Sequence, residues 1–234
     1  SLQYGWIQWS SSLAGALILF VPKKDSGLQL CIDYHSLNKI TVKNHYPLPL
    51  ISETLDRLWE ARRFTKLDLW NAYHWIQIWK GDKWKTTFHT QYSHYEYCVM
   101  LFGLANAPVT FQVHINEALE DLLDNICIVY LDDILVYSSN SAEHNKHVHL
   151  VLEKLQAYGL YTKLSKCDFD KEQVDFLSYV VSTDGVSMEK DQVATIQDWP
   201  VPTSIQELQV FLGFANFYQW FVSHYSAIAQ PLTN

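Results

Sequence analysis

The stretch 126–137, ICIVYLDDILVY, constrains the fold of this chain more than any other. Two short runs rich in Ile and Val flank a pair of aspartates, a pattern typical of two strands joined by a tight turn. Asp132 and Asp133 are therefore predicted at the tip of a β-hairpin. Adjacent carboxylates repel each other, and a hard divalent cation with oxygen ligands would relieve that repulsion. An exposed Asp-Asp turn without a metal explains these residues equally well.

A third aspartate lies in a second apolar run. In the stretch 64–73, FTKLDLWNAY, Asp68 falls between Leu67 and Leu69 in a predicted strand that runs into a turn or helix. A lone acid in an apolar strand is costly unless it is paired or binds a cation. One aspartate on a strand and two on a hairpin tip form the acidic set needed for two-metal phosphoryl transfer.

Five blocks of sequence carry a resemblance to a known family. They read LFVPKKDSGLQLCIDYHSLNKITVKNHYPLP, FTKLDLWNAYHWIQI, FGLANAPVTFQ, YLDDILVYS and FLGFANFYQWF. The chain resembles the reverse transcriptase domain of gypsy-type (Ty3-like) long-terminal-repeat retrotransposons, a part of their Pol polyprotein. Any one block can arise by chance, but five in the family order, covering almost the whole chain, are very specific.

The resemblance implies an α+β fold with the right-hand polymerase architecture of fingers, palm and thumb. The fingers would comprise residues 1–43 and 76–106. The palm, an antiparallel sheet with helices, would comprise 44–75 and 107–185, and 186–234 would form the incomplete start of the thumb. The implied activity is RNA-directed DNA polymerase, a nucleotidyltransferase that adds nucleotides from dNTPs to a primer 3′-hydroxyl. Two alternatives stay open: a catalytically inactive remnant that only binds nucleic acid or has a structural role, and a metal-dependent nuclease.

The resemblance also implies a catalytic metal site. Asp68, Asp132 and Asp133 would be the catalytic residues and, with the carbonyl of Leu69, would hold two Mg²⁺ ions, with Mn²⁺ as an alternative. One ion would activate the primer 3′-hydroxyl, and the other would neutralise the triphosphate and the leaving pyrophosphate.

A nucleotide pocket is implied beside that site. Its expected members are Lys23, Lys24, Gln29, Leu69, Tyr73, Phe102 and Gly103. Lys23 or Lys24, in the predicted fingers hairpin, would touch the triphosphate, and the ring of Tyr73 would lie under the sugar and select deoxynucleotides. The family usually has Arg at the position of Gln29, and Gln cannot supply a charged, bidentate phosphate contact.

Composition indicates a packed globule, but the charge is unusual for a nucleic-acid enzyme. Hydrophobic residues make up 48% of the chain, and the formal net charge is −8. A basic footprint is the ordinary signature of nucleic-acid binding. No apolar run reaches the length of a membrane span, so no membrane partner is expected. Four cysteines without a CxxC pair indicate free thiols in a reducing compartment.

The family implies several partners. They are an RNA or DNA template with its primer, dNTPs, and the ribonuclease H and integrase regions of the rest of the Pol polyprotein. The expected location is intracellular, in a cytoplasmic virus-like particle or the nucleus, and the oligomeric state stays open.

The residues that depart from the family pattern can all be explained by one type of nucleotide change. Family members commonly have Arg at the positions of Gln8, Gln29, His35, His45, Trp70, Gln77, Trp79, His89, Gln91, Gln219 and Trp220, and Gly at those of Ser26, Ser93 and Ser178. Each change corresponds to a single C-to-T or G-to-A transition, which motivates the hypothesis of a copy degraded by cytosine mutation. Gly→Ser is harmful only where φ is positive, so Ser93 and Ser178 are the suspect turns.

Local signals place three helices. Pro108 suits the first turn of a helix that is expected to run to about Leu123. The stretch 141–159 has a helical apolar face, and Gly159 provides its C-terminal stop. Ser204 and Glu207 form the pattern of a capping box at the start of a third helix.

Overall fold

The computed structural model describes residues 2–22 and 27–233, including every side chain in these ranges except those of Gln29 and Ser52. The strands are β1 (Ile7–Trp9), β2 (Ile18–Pro22), β3 (Leu28–Ile32), β4 (Arg63–Asp68), β5 (Phe88–His89), β6 (His94–Tyr97), β7 (Cys127–Tyr130), β8 (Asp133–Ser138), β9 (Asp168–Lys171), β10 (Gln173–Phe176), β11 (Tyr179–Ser182) and β12 (Gly185–Met188). The α-helices are α1 (His35–Ile40), α2 (Ile51–Asp56), α3 (Ala107–Ala118), α4 (Ser141–Ala157), α5 (Lys190–Gln197), α6 (Ile205–Phe217) and α7 (Tyr225–Thr233). Short 3-10 turns span Ala72–Trp75, Lys83–Thr86, Leu164–Lys166 and Gln219–Phe221.

The central element is a four-stranded sheet in the order β7-β8-β4-β9. All its neighbouring strands are antiparallel. Strands β2 and β3 form a separate hairpin, β1, β6 and β5 form a three-stranded sheet, and β10, β11 and β12 form another. The chain thus combines helices with antiparallel sheets, which confirms the predicted α+β class.

Strands β7 and β8 of the central sheet are buried on both faces, and this explains why they read as nearly continuous apolar runs. Ile134 and Val136 of β8 belong to a core with α3 and α4, whereas Leu135 and Tyr137 point into a second core beneath β10 and β11. Successive side chains of a strand point to opposite faces. The hairpin that carries the aspartates is therefore held rigidly from two sides.

Helix α4 is tied to the sheet by a buried polar network. His144 is fully buried, and its two ring nitrogens lie 2.8 Å from Thr65 Oγ1 of β4 and 2.8 Å from Ser138 Oγ of β8. The Ser138 hydroxyl also lies 2.7 Å from Nδ1 of His147. Both nitrogens of His144 are thus engaged by hydroxyl groups, which leaves neither of them for a metal.

The three predicted helices are present, and one of them is shorter than predicted. Gly159 follows α4 at φ +69°, and the backbone N–H of Glu207 donates to Ser204 Oγ at 3.2 Å at the start of α6. Helix α3 has its proline in the first turn but ends at Ala118, earlier than expected, because residues 119–123 form tight turns instead.

The two suspect serines differ. Ser178 has φ +67° in the turn between β10 and β11, whereas Ser93 does not have a positive φ. The expectation of strain is therefore confirmed at Ser178 and wrong at Ser93, where the turn keeps ordinary backbone angles.

Candidate active site

The tip of the β7–β8 hairpin is a two-residue turn. Tyr130 pairs with Asp133, so Leu131 and Asp132 form the loop, and Leu131 adopts φ +55°. Hairpin turns of this kind favour glycine at the first loop position, and a leucine there is strained. The turn is held by Gln112 of α3, a fully buried side chain whose Oε1 accepts the Leu131 N–H at 2.8 Å.

Asp68 reaches the same edge through the pairing of β4 with β8. The register places Asp68 directly opposite Asp133. The backbone N–H of Leu69 then donates to the carbonyl of Asp132 at 3.1 Å. The structure thus brings the three aspartates predicted from sequence to one end of the central sheet.

Like charges make this edge electrostatically unfavourable. Burial raises the pKa of Asp133; the ammonium of Lys66 opposes that shift, while the carboxylates of Asp132 and Asp68 add to it. Lys66 Nζ lies 3.9 Å from Asp133 Oδ1. Carboxylates placed opposite each other destabilise a sheet unless a cation lies between them. The site therefore has the charge that attracts a cation.

A loop of basic residues closes on Asp68 from the other side. Lys166 Nζ donates to Asp68 Oδ2 at 3.0 Å, and this hydrogen bond is the main cause of the raised pKa of Lys166. The backbone N–H of Lys163 donates to the Asp68 carbonyl at 2.9 Å. Cys167 Sγ accepts the Asp68 N–H at 3.5 Å.

Hard oxygen donors of this kind fit Mg²⁺ or Mn²⁺ in chemical type. In the part of the chain that the structure describes, however, no three His, Cys, Asp or Glu side chains converge as a metal-binding group. Asp68 faces Lys166, and Asp133 faces Lys66. Joint coordination of an ion therefore requires these carboxylates to turn from their lysine partners.

A cleft of about 940 Å³ opens beside Asp68 and Asp132, whereas Asp133 does not line it. Its walls include Asp68, Leu69, Asp132, Phe102, Gly103 and Lys166. Strand β3 of the β2–β3 hairpin lies across the cleft from them, since Leu30, Cys31 and Ile32 also line it. Gly103 has φ +94°, a backbone conformation that favours glycine.

Tyr73 lies behind the cleft surface and does not line it. Its side chain is only 3% exposed, and its ring packs 4.3 Å from that of Phe102 and 5.3 Å from that of Phe111. Burial, and then the charge of Asp132, raises its pKa to about 12. Phe102 is 55% exposed and covers the phenol ring, so direct contact between Tyr73 and a sugar requires Phe102 to move.

The remaining predicted nucleotide contacts come from side chains outside the described part of the structure. Lys23 and Lys24 fall outside the described residues, and so does the side chain of Gln29. Conversely, no motif in the sequence indicated Lys166, which lies 98 residues from its partner Asp68. The role of Gln112 could have been predicted, because a polar residue on the apolar face of a predicted helix needs a hydrogen-bond partner.

Comparison with known proteins gives a consistent result. A family model described as "Reverse transcriptase (RNA-dependent DNA polymerase)" matches residues 21–181. The chain is 38% identical over 238 residues to a retrovirus-related Pol polyprotein from transposon 297 of Drosophila melanogaster, covering 100% of this chain and 22% of that protein. It is also 38% identical over 233 residues to the transposon Tf2-3 polyprotein of Schizosaccharomyces pombe, covering 100% of this chain and 18% of that protein. The chain thus spans about a fifth of the length of these relatives.

Solved structures show the same fold. The foamy viral protease-reverse transcriptase dRH in complex with double-stranded DNA superimposes with a TM-score of 0.91 at 26% identity, covering 99% of this chain and 41% of that one. The foamy viral protease-reverse transcriptase in complex with an RNA/DNA hybrid gives a TM-score of 0.85 at 26% identity, covering 99% of this chain and 31% of that one. These matches confirm the predicted right-hand polymerase architecture.

Proposed function

Because this chain belongs to the reverse transcriptase family, we propose that it is the RNA-directed DNA polymerase domain of a gypsy-type retrotransposon Pol polyprotein. The observation that carries the proposal is the register of β4 and β8, which sets Asp68 opposite Asp133, while Asp68 and Asp132 line the cleft. The family match favours this activity over a nuclease with the same carboxylates.

In this proposal the three aspartates are the catalytic residues. Asp68, Asp132 and Asp133, with the carbonyl of Leu69, would hold two Mg²⁺ ions, and Mn²⁺ would serve in their place. Bound there, the ions would supply activation of the primer 3′-hydroxyl and charge neutralisation of the triphosphate and pyrophosphate. The chain itself contributes the rigid hairpin that fixes the carboxylates and a cleft wall that aligns the nucleotide.

The nucleotide pocket follows from the walls of the cleft. Phe102 and Gly103 would face the nucleotide, and Tyr73 would exclude a ribose 2′-hydroxyl once Phe102 moves aside. Lys23 and Lys24 would contact the triphosphate, with Gln29 beside them as an uncharged substitute for the usual Arg.

The palm and fingers boundaries are part of the same proposal. We assign 1–43 and 76–106 to the fingers, 44–75 and 107–185 to the palm, and 186–234 to the start of the thumb. Limited proteolysis tests these boundaries, since cleavage concentrated inside 107–185 would contradict a continuous palm.

The proposed partners are a primed RNA or DNA template, dNTPs, and the ribonuclease H and integrase regions of the polyprotein. The relatives are polyproteins, and two solved homologues hold double-stranded DNA or an RNA/DNA hybrid. Among the described residues, no helix combines the length and apolarity needed to cross a membrane. We propose a cytoplasmic virus-like particle or the nucleus as the location, which cell fractionation of the expressed polyprotein tests.

We also propose that this copy has lost phosphate contacts by mutation. Trp70, at a position where the family commonly has Arg, lines the cleft two residues after Asp68 and is 43% exposed. Each lost phosphate contact weakens nucleic-acid binding and lowers its salt dependence. The absence of a transition bias relative to intact genomic copies would contradict this history.

Primer extension with Mg²⁺ on poly(rA)/oligo(dT) tests the proposed activity. The chain as written is compared with a version carrying Gln29→Arg and Trp70→Arg, which we expect to extend the primer faster. Asp132→Asn in the restored version should reduce synthesis by at least about a thousandfold, as for other groups that act as a catalytic unit. In the same assay Tyr73→Val should allow incorporation of ribonucleotides.

Asp175→Asn provides a matched control, because Asp175 is an exposed carboxylate on β10 away from the cleft. It should leave synthesis unchanged. Synthesis that survives Asp132→Asn would place the metal site elsewhere. A lack of primer extension by the restored version would argue against polymerase activity by this domain alone.

A further inference from the structure

The ammonium of Lys166 contacts the Asp68 carboxylate, to which a metal ion is expected to bind. Its ammonium donates to Asp68 Oδ2 at 3.0 Å, on the carboxylate that faces Asp133 across the strand pair. The Asp68 side chain is 18% exposed, whereas that of Lys166 is 56% exposed. The carboxylate is thus largely enclosed, and the lysine approaches it from the solvent side.

The loop that carries Lys166 is fastened to Asp68 through the backbone. The N–H of Lys163 donates to the Asp68 carbonyl at 2.9 Å, and the Asp68 N–H donates to Cys167 Sγ at 3.5 Å. Both backbone groups of Asp68 therefore bond to the segment 163–167. This anchoring sets Lys166 within reach of the carboxylate, which distinguishes the contact from a chance pairing of surface side chains.

We propose that Lys166 is a built-in cation that occupies the Asp68 carboxylate in the metal-free domain and competes with divalent ions for it. This inference rests on the proposed function of Asp68 as a metal ligand. A divalent ion bound to Asp68 would lie within a few ångströms of the ammonium, and two cations so close repel each other. Metal loading therefore displaces Lys166, and its exposed, flexible stem permits that movement.

The contact between Lys166 and Asp68 affects both the metal-free and the metal-bound site. Without metal, Lys166 relieves the repulsion among the three carboxylates. With metal, the lost ion pair lowers the affinity of the bare site, so occupancy depends more on other ligands such as substrate phosphates. A purely structural lysine would act in the opposite direction, since it would preorganise Asp68 for the ion.

Manganese binding separates these two roles without any need for polymerase activity. Free Mn²⁺ is measured by electron paramagnetic resonance during titration of the 234-residue chain, in the absence of nucleotide and primer. Lys166→Met should lower the Kd for Mn²⁺ by about fivefold, the effect of one partly exposed ion pair. Lys166→Arg keeps the charge and should bind like the parent chain.

Two further variants complete the test. Lys163→Met removes a charge from the same cleft, but its ammonium makes no hydrogen bond or ion pair within the described residues, so the Kd should change less than twofold. Asp68→Asn should weaken binding in the parent and abolish the gain from Lys166→Met. Circular dichroism verifies that each variant is folded.

The possible results are distinct. Binding that depends on Asp68 but is unchanged or weaker in Lys166→Met overturns the inference and leaves the proposed metal site intact. An equal gain in Lys163→Met also overturns it, because the effect is then general electrostatics. The lack of saturable binding in every variant, or a gain independent of Asp68, overturns both the inference and the proposed metal site.

Discussion

Replacement of Ser178 by glycine should stabilise this protein. Ser178 and Leu177 join β10 to β11 in a two-residue turn, with φ +67° and φ +53°. Two positive φ values define the hairpin turn that favours glycine at its second position. Ser178 is exposed and has no side-chain hydrogen bond within the described residues, so glycine removes strain without loss of a contact.

The magnitude follows from two opposing terms. A side-chain-bearing residue in the left-handed region costs about 1–2 kcal/mol, and the greater freedom of glycine in the unfolded chain costs about 0.5–1 kcal/mol. We therefore expect a net gain of about 0.5–1 kcal/mol in the free energy of unfolding. For a domain of this size that corresponds to a Tm increase of about 1–4 °C.

Reversible urea and thermal unfolding, followed by circular dichroism, provide the assay. Ser93→Gly is the matched control: it makes the same chemical change in another turn, but at a residue without a positive φ. It should destabilise the fold by about 0.5–1 kcal/mol. Equal gains at the two positions, or no gain at Ser178, would refute the reasoning from backbone strain.

The carboxylate site and the buried histidine yield two further predictions. Asp133→Asn should abolish primer extension yet raise the free energy of unfolding by roughly 0.5–2 kcal/mol. The reason is that burial and the neighbouring carboxylates raise the pKa of Asp133 and disfavour its charged form. A lower urea midpoint at neutral pH would contradict this prediction. Burial lowers the pKa of His144 below 6.5, so the unfolded chain binds the proton first, and stability should fall as pH drops below 6.5. Urea midpoints measured from pH 8 to pH 5.5 should show this slope, and His144→Gln should reduce it.

The features that sequence predicted well are those set by local chemistry. The aspartate hairpin, the stop at Gly159 and the Ser204 cap each depend on residues within a few positions of one another. The sign of φ at Ser93 and Ser178 was not readable, because it depends on which turn type the flanking strand register imposes. Sequence alone treated the two serines alike, and the structure separates them.

The features that sequence missed depend on distant parts of the chain. Lys166 meets Asp68 only because β9 pairs with β4, which places the loop before β9 at the end of the central sheet. The burial of the Tyr73 ring against Phe102 and Phe111 likewise depends on residues about 30 to 40 positions away, and its role at the sugar stays a prediction. Tertiary packing of this kind is invisible to motif and periodicity arguments.

The position of β4 in the central sheet has a consequence for synthesis of the protein. It comes first in sequence of the four strands, yet it lies between β8 and β9, which follow much later. During translation, β4 with its apolar residues Phe64 and Leu67 therefore has both strand edges unpaired until β8, which ends at Ser138, has left the ribosome, and one edge unpaired until residue 171 has followed. Late pairing of this kind slows folding and exposes the nascent chain to aggregation. Conditions that slow aggregation during translation, such as expression at low temperature, should therefore raise the soluble yield more than stabilisation of the finished fold.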